Sequence, residues 1–106
     1  MSELRVIHFL KISGFIAEDR KPEFENAVRY ACGLLSSECV AKNLSCEIIG
    51  NELYYFFSEW VTEPALRKFT QSEEYQLIRS AYDVWGVLQK IEIGYHAEIK
   101  TIRIHH

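Results

Sequence analysis

The chain has 106 residues, 48% of them hydrophobic, and a net charge of −3. That length suits one domain spanning residues 1–106 with a packed core, and the acidic balance gives no electrostatic footing for nucleic acid. The apolar runs are far short of a bilayer span, and the start, MSELRVIHFL, lacks the basic n-region and small-residue cleavage site of a signal peptide, so no membrane association and a cytoplasmic location are expected. Cys32, Cys39 and Cys46 are odd in number, with no CxxC pair and no histidine at ligand spacing, which predicts reduced, largely buried thiols and no metal site.

Leu4–Ile12 alternates, with Leu4, Val6, His8, Leu10 and Ile12 on one side and Ile7 and Phe9 on the other, and predicts a strand at least partly buried on both faces. After a loop over Ser13–Lys21, Pro22 opens a helix whose Phe24, Ala27, Val28, Ala31 and Leu35 recur at helical spacing. Gly33 within it marks either a close approach of the backbone or a tolerated glycine. The helix is expected to fray near Lys42-Asn43, and Leu44–Ile49 to form a second strand. Gly50-Asn51 is a two-residue hairpin signal, which would pair Ile48 with Leu53, Cys46 with Tyr55 and Leu44 with Phe57. That nearly apolar face is assigned to the helices. Tyr54, Phe56 and Ser58 are left on the other face, as an interface or a lined cavity.

The stretch Leu53–Ile78, LYYFFSEWVTEPALRKFTQSEEYQLI, carries the most information. Tyr54, Tyr55, Phe56 and Phe57 place aromatics on both faces of the third strand, so both need cover. A chain this short has helices for one face only, and a second copy of itself is the simplest cover for the other. Thr62 with Glu63 and Pro64, then Ser72 with Glu73 and Glu74, are successive N-cap signals, predicting a short helix followed by a longer one over Ser72–Val87. In the longer helix Tyr75, Ile78, Ala81, Tyr82 and Trp85 face inward, and Arg79 and Asp83 are spaced for an i,i+4 pair. Gln89–Ile104 alternates as a last strand, long enough to overhang the domain edge. The order β-α-β-β-α-β predicts an α+β, ferredoxin-like fold with an antiparallel sheet.

The Glu59-Trp60 pair ending a strand, the TEPALRKF helix, the SEEYQLI helix start and this element order resemble the antibiotic-biosynthesis monooxygenase family of dimeric α+β barrels. The resemblance covers nearly the whole chain, with its signal concentrated between Leu53 and Ile78. It implies a homodimer whose two sheets close a barrel, with a small apolar pocket between sheet and helices in each subunit. Trp60 matches the family's tryptophan at the end of the third strand, which borders the pocket in some oxygenating members. Heme-degrading members would want a tryptophan near Phe69, a histidine near Arg79 and an asparagine on the first strand. The chain supplies none of these, so heme degradation is disfavoured and no cofactor is expected.

Cofactor-free oxygenation needs an electron-rich substrate, one base, and one or two donors that hold an anion away from water. His8, titratable within an otherwise apolar strand, is the candidate base, set against the alternative of a satisfied core or interface histidine. Arg79, or one of Tyr54, Tyr55, Tyr75 and Tyr82, is the candidate anion stabiliser. Trp60, Tyr55, Phe69 and Tyr82 are the candidate substrate contacts. His96 is assigned to solvent or an interface, and His105 and His106 are given no role. Two functions follow: a cofactor-independent monooxygenase acting on a small aromatic, quinol or polyketide-like compound, or a non-catalytic dimeric barrel that binds a small apolar ligand or serves as an interaction module. They separate on whether His8 and Trp60 line one cavity.

Overall fold

A computed structural model describes residues 2–47, 50 and 52–101. Strand β1 (Ser2–Ile16) leads through one 3-10 turn, Glu18–Arg20, into helix α1 (Lys21–Gly33). Strands β2 (Cys39–Cys46) and β3 (Leu53–Trp60), helices α2 (Glu63–Thr70) and α3 (Glu73–Trp85), and strand β4 (Gly86–Thr101) complete the chain. The sheet is antiparallel with order β2-β3-β1-β4, the ferredoxin-like α+β arrangement expected from the element order.

Both predicted caps form. Thr62 Oγ1 accepts from Ala65 N–H at 3.2 Å and Ser72 Oγ accepts from Tyr75 N–H at 3.2 Å, each satisfying one of a helix's four unpaired amides. The inward stripes are also as read. Phe24, Val28 and Ala31 of α1 and Tyr75, Ile78, Ala81 and Tyr82 of α3 are buried, with Ala27, Leu35 and Trp85 packed at the margin.

The first strand is longer than the sequence suggests. Ser13-Gly14 looks like the start of a loop, yet β1 continues to Ile16, and its pairing with β4 shifts between Ser13 and Gly14. Gly14 is required by packing rather than by a turn: a Cβ there would meet Tyr82 Cδ1 at 2.6 Å and the Val87 carbonyl at 2.7 Å. Gly86 joins α3 to β4 with no intervening residue, and a Cβ on it would lie 1.9 Å from the Phe15 carbonyl oxygen.

The first helix, in contrast, is shorter than predicted. It ends at Gly33, and residues 39–43, expected to be helical, pair with β3 as the outer strand. Seven residues of β2 pair with Tyr54–Trp60 of β3, with a register shift between Cys39 and Ala41, and this tertiary pairing outweighs the local helical pattern. Gly33 has open space where a Cβ would stand, which settles it as a tolerated glycine in the last turn.

The hairpin register differs from prediction by one residue. Cys46 pairs with Tyr54 and Leu44 with Phe56, and Glu47 N–H donates to the Leu53 carbonyl, so five residues rather than two separate the paired ends. The predicted Ile48 pairing and the Asn51 turn position lie outside the described residues. A one-residue shift moves every side chain to the other face. Tyr54, Phe56, Ser58 and Trp60 therefore lie against the helices, at 4%, 0%, 0% and 2% exposure, while Tyr55, Phe57 and Glu59 face the other way, half-buried. The assignment of Tyr54 and Phe56 to the uncovered face is thus corrected.

On that uncovered face the Phe9 ring stacks on Phe57 with centroids 6.1 Å apart and lies across Gly94. The Lys11 ammonium sits 4.7 Å over the Tyr55 ring. Beyond the last β1–β3 pair, His8 with Trp60, strands β1 and β4 continue as a two-stranded ribbon. Leu4 and Val6 of this ribbon are exposed on the helix-side register, as are Ile93 and Tyr95, the β4 partners of Leu10 and His8.

Candidate functional site

Trp60 ends β3 on the helix side because the strand's buried phase runs Tyr54, Phe56, Ser58, Trp60. Its indole Nε1–H donates to Ser58 Oγ at 3.0 Å, and Ser58, itself fully buried, donates to the Leu10 carbonyl at 3.3 Å. That chain fixes the indole plane from beneath. From above, α2 lays Phe69 on it, with centroids 4.8 Å apart and planes 25° from parallel. Phe69 in turn meets Tyr75 of α3 edge-on at 5.4 Å.

A cleft of about 120 Å³ opens beside this stack. The buried Trp60, Phe69 and Ala65 form its apolar floor, and Leu34 and Leu35, just past the end of α1, line it with Ser36, Glu38, Lys68, Ser72 and Glu74. Ser72 Oγ is occupied, donating to the Phe69 carbonyl at 2.6 Å and accepting from Tyr75 N–H. Lys68 makes no ion pair among the described residues. The polar lining groups were not singled out from the sequence. Glu74 reads in the sequence as an acidic residue of a helix start, and Glu38 falls inside a predicted helix that does not extend so far.

Of the residues proposed from sequence, Trp60 and Phe69 meet at this cleft, and His8, Arg79, Tyr55 and Tyr82 do not line it. His8 is the direct cross-strand partner of Trp60, on the same face of the sheet, half-buried with its ring 6.2 Å from that of Tyr95. His8 shares the face of Trp60 without lining its cleft, an outcome between the two anticipated. Arg79 is half-buried, with its guanidinium 5.9 Å from the Tyr75 ring centre. Its Nε–H is buried without a hydrogen-bond partner, and the expected ion pair with Asp83 is not formed.

Tyr82 is fully buried, its hydroxyl near the Tyr54 carbonyl at 3.1 Å and the Ile12 carbonyl at 3.3 Å, and burial raises its pKa above the ordinary phenol value. It packs over Gly14 and edge-on to Phe24, deep in the core rather than in the cleft. Tyr55 belongs to the opposite face, where its hydroxyl donates to Glu47 at 2.8 Å. Tyr54 donates to Glu25 of α1 at 2.5 Å, and burial, then this carboxylate, hold its proton on. His96 lies on the uncovered face with Nε2 3.3 Å from Glu59 Oε2.

The thiols of Cys32 and Cys39 are pushed above the ordinary value by burial. All three cysteines are free. No group of three or more potential metal ligands occurs among the described residues, and no helix among them is long and apolar enough to cross a membrane.

No protein-family model matches the chain, and no curated protein matches it in sequence. Solved structures share its fold over most of both chains. A protein from Caulobacter crescentus CB15, named a putative antibiotic biosynthesis monooxygenase, superposes with a TM-score of 0.72 at 12% identity, covering 87% of this chain and 89% of that one. Proteins of the same name from Nitrosomonas europaea (TM-score 0.71, 10% identity, 87% and 89% covered) and Bordetella bronchiseptica (0.66, 21%, 92% and 100%) do likewise. The chain therefore has the ferredoxin-like α+β fold of the antibiotic biosynthesis monooxygenase structures.

Proposed function

We propose that this protein is a homodimeric, cofactor-independent monooxygenase acting on a small aromatic, quinol or polyketide-like compound. The observation that carries the reading is the Trp60–Phe69 stack walling a cleft of mixed apolar and polar lining between sheet and helices, in a fold shared with proteins of that name. Such a pocket desolvates a flat substrate, which is what an oxygenation without metal or flavin requires of the protein.

In the proposed reaction a base removes a proton from the electron-rich ring or its activated carbon. The resulting anion passes an electron to O2, the radical pair combines to form a C–O bond, and the hydroperoxide loses water. The O–O bond breaks, one oxygen atom remains as a carbonyl and the other leaves as water. His8, adjacent to Trp60 in the register, is the proposed base, and the unpaired Nε–H of Arg79 is the proposed anion donor. Trp60 and Phe69 are the proposed substrate contacts. Tyr55 is reassigned to the dimer face and Tyr82 to a packing role.

The second copy would lie on the sheet face that no helix covers, with Phe9, Tyr55 and Phe57 at the contact. A half-buried aromatic row on a face that otherwise meets water is the support for this. The separation of His8 from the cleft favours a second reading, a dimeric barrel that binds a small apolar ligand without turning it over.

Oxygen uptake by the purified protein with a panel of hydroquinones, catechols and anthrones, beside a His8→Ala variant, tests the proposal. Turnover above the spontaneous rate that falls in the variant is the expected result. Absence of turnover across the panel would leave the binding reading.

A further inference from the structure

We infer that the cleft at Trp60 takes a single neutral aromatic ring hydroxylated along one edge, a catechol or alkylcatechol, with its apolar edge inward and its hydroxyls at the mouth. The inference rests on the proposed reading of this cleft as the ligand site. Size comes first. An engineered apolar cavity of about 150 Å³ holds one benzene, and this cleft is about 120 Å³. One six-membered ring fills it. A fused tricycle could insert only its terminal ring, leaving the central, reacting carbon outside.

Polarity comes second. The floor of Trp60, Phe69 and Ala65 has no hydrogen-bonding group to spare, since the indole N–H is held by Ser58 and the Ser72 hydroxyl by its own turn. A ligand hydroxyl pushed inward would be buried unpaired, so the inner edge must be hydrocarbon. The remaining polar groups of the lining are different. Lys68 has no ion pair among the described residues and can donate, and the Glu38 and Glu74 carboxylates can accept. Adjacent hydroxyls, each both donor and acceptor, match that mixture on one side of a ring. Hydroxyls placed para to one another do not, because they point in opposite directions and cannot both lie along one edge of the ring.

Charge comes third. Two carboxylates against one ammonium give these lining groups a net negative balance, which repels a benzoate and accepts a neutral phenol.

The test is an anaerobic NMR titration of the full chain, read at the two tryptophan indole N–H signals, Trp60 and Trp85. The probes are 4-methylcatechol, methylhydroquinone, 4-methylbenzoate and 1,8-dihydroxyanthrone. The expected result is a saturable shift of the Trp60 signal with 4-methylcatechol while Trp85 stays fixed. Affinity should be about tenfold weaker for methylhydroquinone and about tenfold weaker for 4-methylcatechol in a Lys68→Ala variant. 4-Methylbenzoate should leave Trp60 unmoved at the same concentration, and 1,8-dihydroxyanthrone, admitted by one terminal ring only, should bind at least about tenfold more weakly than 4-methylcatechol. No Trp60 shift with 4-methylcatechol, equal or tighter binding of any other probe, or an unchanged affinity in folded Lys68→Ala would overturn the inference. Catechol binding without oxygen uptake would leave it standing and remove the oxygenase, whereas anthrone binding at Trp60 as tight as or tighter than that of 4-methylcatechol, with turnover, would do the reverse.

Discussion

Ser58→Ala isolates the hydrogen bond that sets the wall of the cleft. Ser58 is fully buried, its Oγ accepts from Trp60 Nε1–H at 3.0 Å, and it donates to the Leu10 carbonyl at 3.3 Å. Alanine removes one oxygen atom and leaves almost no cavity, so the cost is the stranded indole N–H in a site shut off from water. An unsatisfied buried donor costs about 1–3 kcal/mol, and we take about 2 kcal/mol. For a domain of this size that lowers Tm by about 10 °C. In a Trp60→Phe background the donor is already gone, and the same substitution should cost only about 0.5 kcal/mol for the longer bond to Leu10. The coupling in the double-mutant cycle is then about 1.5 kcal/mol. Urea melts of the four proteins measure it. A Ser58→Ala cost under about 0.5 kcal/mol, or strict additivity with Trp60→Phe, would refute the claim that Ser58 holds the indole.

Other perturbations have equally definite expectations. Phe57→Asp puts a charge on the uncovered face, and sedimentation should show a dimer for the parent and a folded monomer for the variant; an unchanged dimer would contradict the proposed face assignment. Gly86→Ala drives a methyl group into the Phe15 carbonyl and should cost about 3 kcal/mol or more, whereas Gly33→Ala, with open space around it, should stabilise by about 0.5 kcal/mol in chemical denaturation. The raised pKa values of Tyr54, Tyr82, Cys32 and Cys39 set the alkaline limit. Above the ordinary thiol and phenol values the unfolded chain releases these protons while the folded one keeps them, so stability is full below about pH 8 and falls as pH rises from there through 11. Thermal melts over that range should show the loss, with a smaller slope in Tyr82→Phe.

Much of the fold was legible because its signals are local. Thr62 and Ser72 state the starts of two helices in their own hydroxyls, and the spacing of Phe24, Val28 and Ala31 states which side of α1 is buried. What could not be read depends on partners distant in sequence. Gly14 looks like a turn residue until Tyr82, far along the chain, is known to lie on it. Gly50-Asn51 suggested a two-residue turn, but the connection pairs Glu47 with Leu53, and that one residue exchanged the roles of Tyr54 and Tyr55. The site follows the same division. Trp60 and Phe69, which the family resemblance marks in the sequence, do line one cleft. Lys68, Glu38 and Glu74 could not be read as site residues, because the cleft they line exists only once α1 ends at Gly33 and the following turn folds back beside α2.

The most direct test of the proposed oxygenation is isotopic. With 18O2 and an electron-rich ring that the protein turns over, the account predicts product carrying one 18O atom, introduced as a new carbonyl, with the other atom in water and no hydrogen peroxide. A quinone without label, formed with one equivalent of peroxide, would mean that the protein only promotes electron transfer to oxygen, and would contradict the monooxygenase reading.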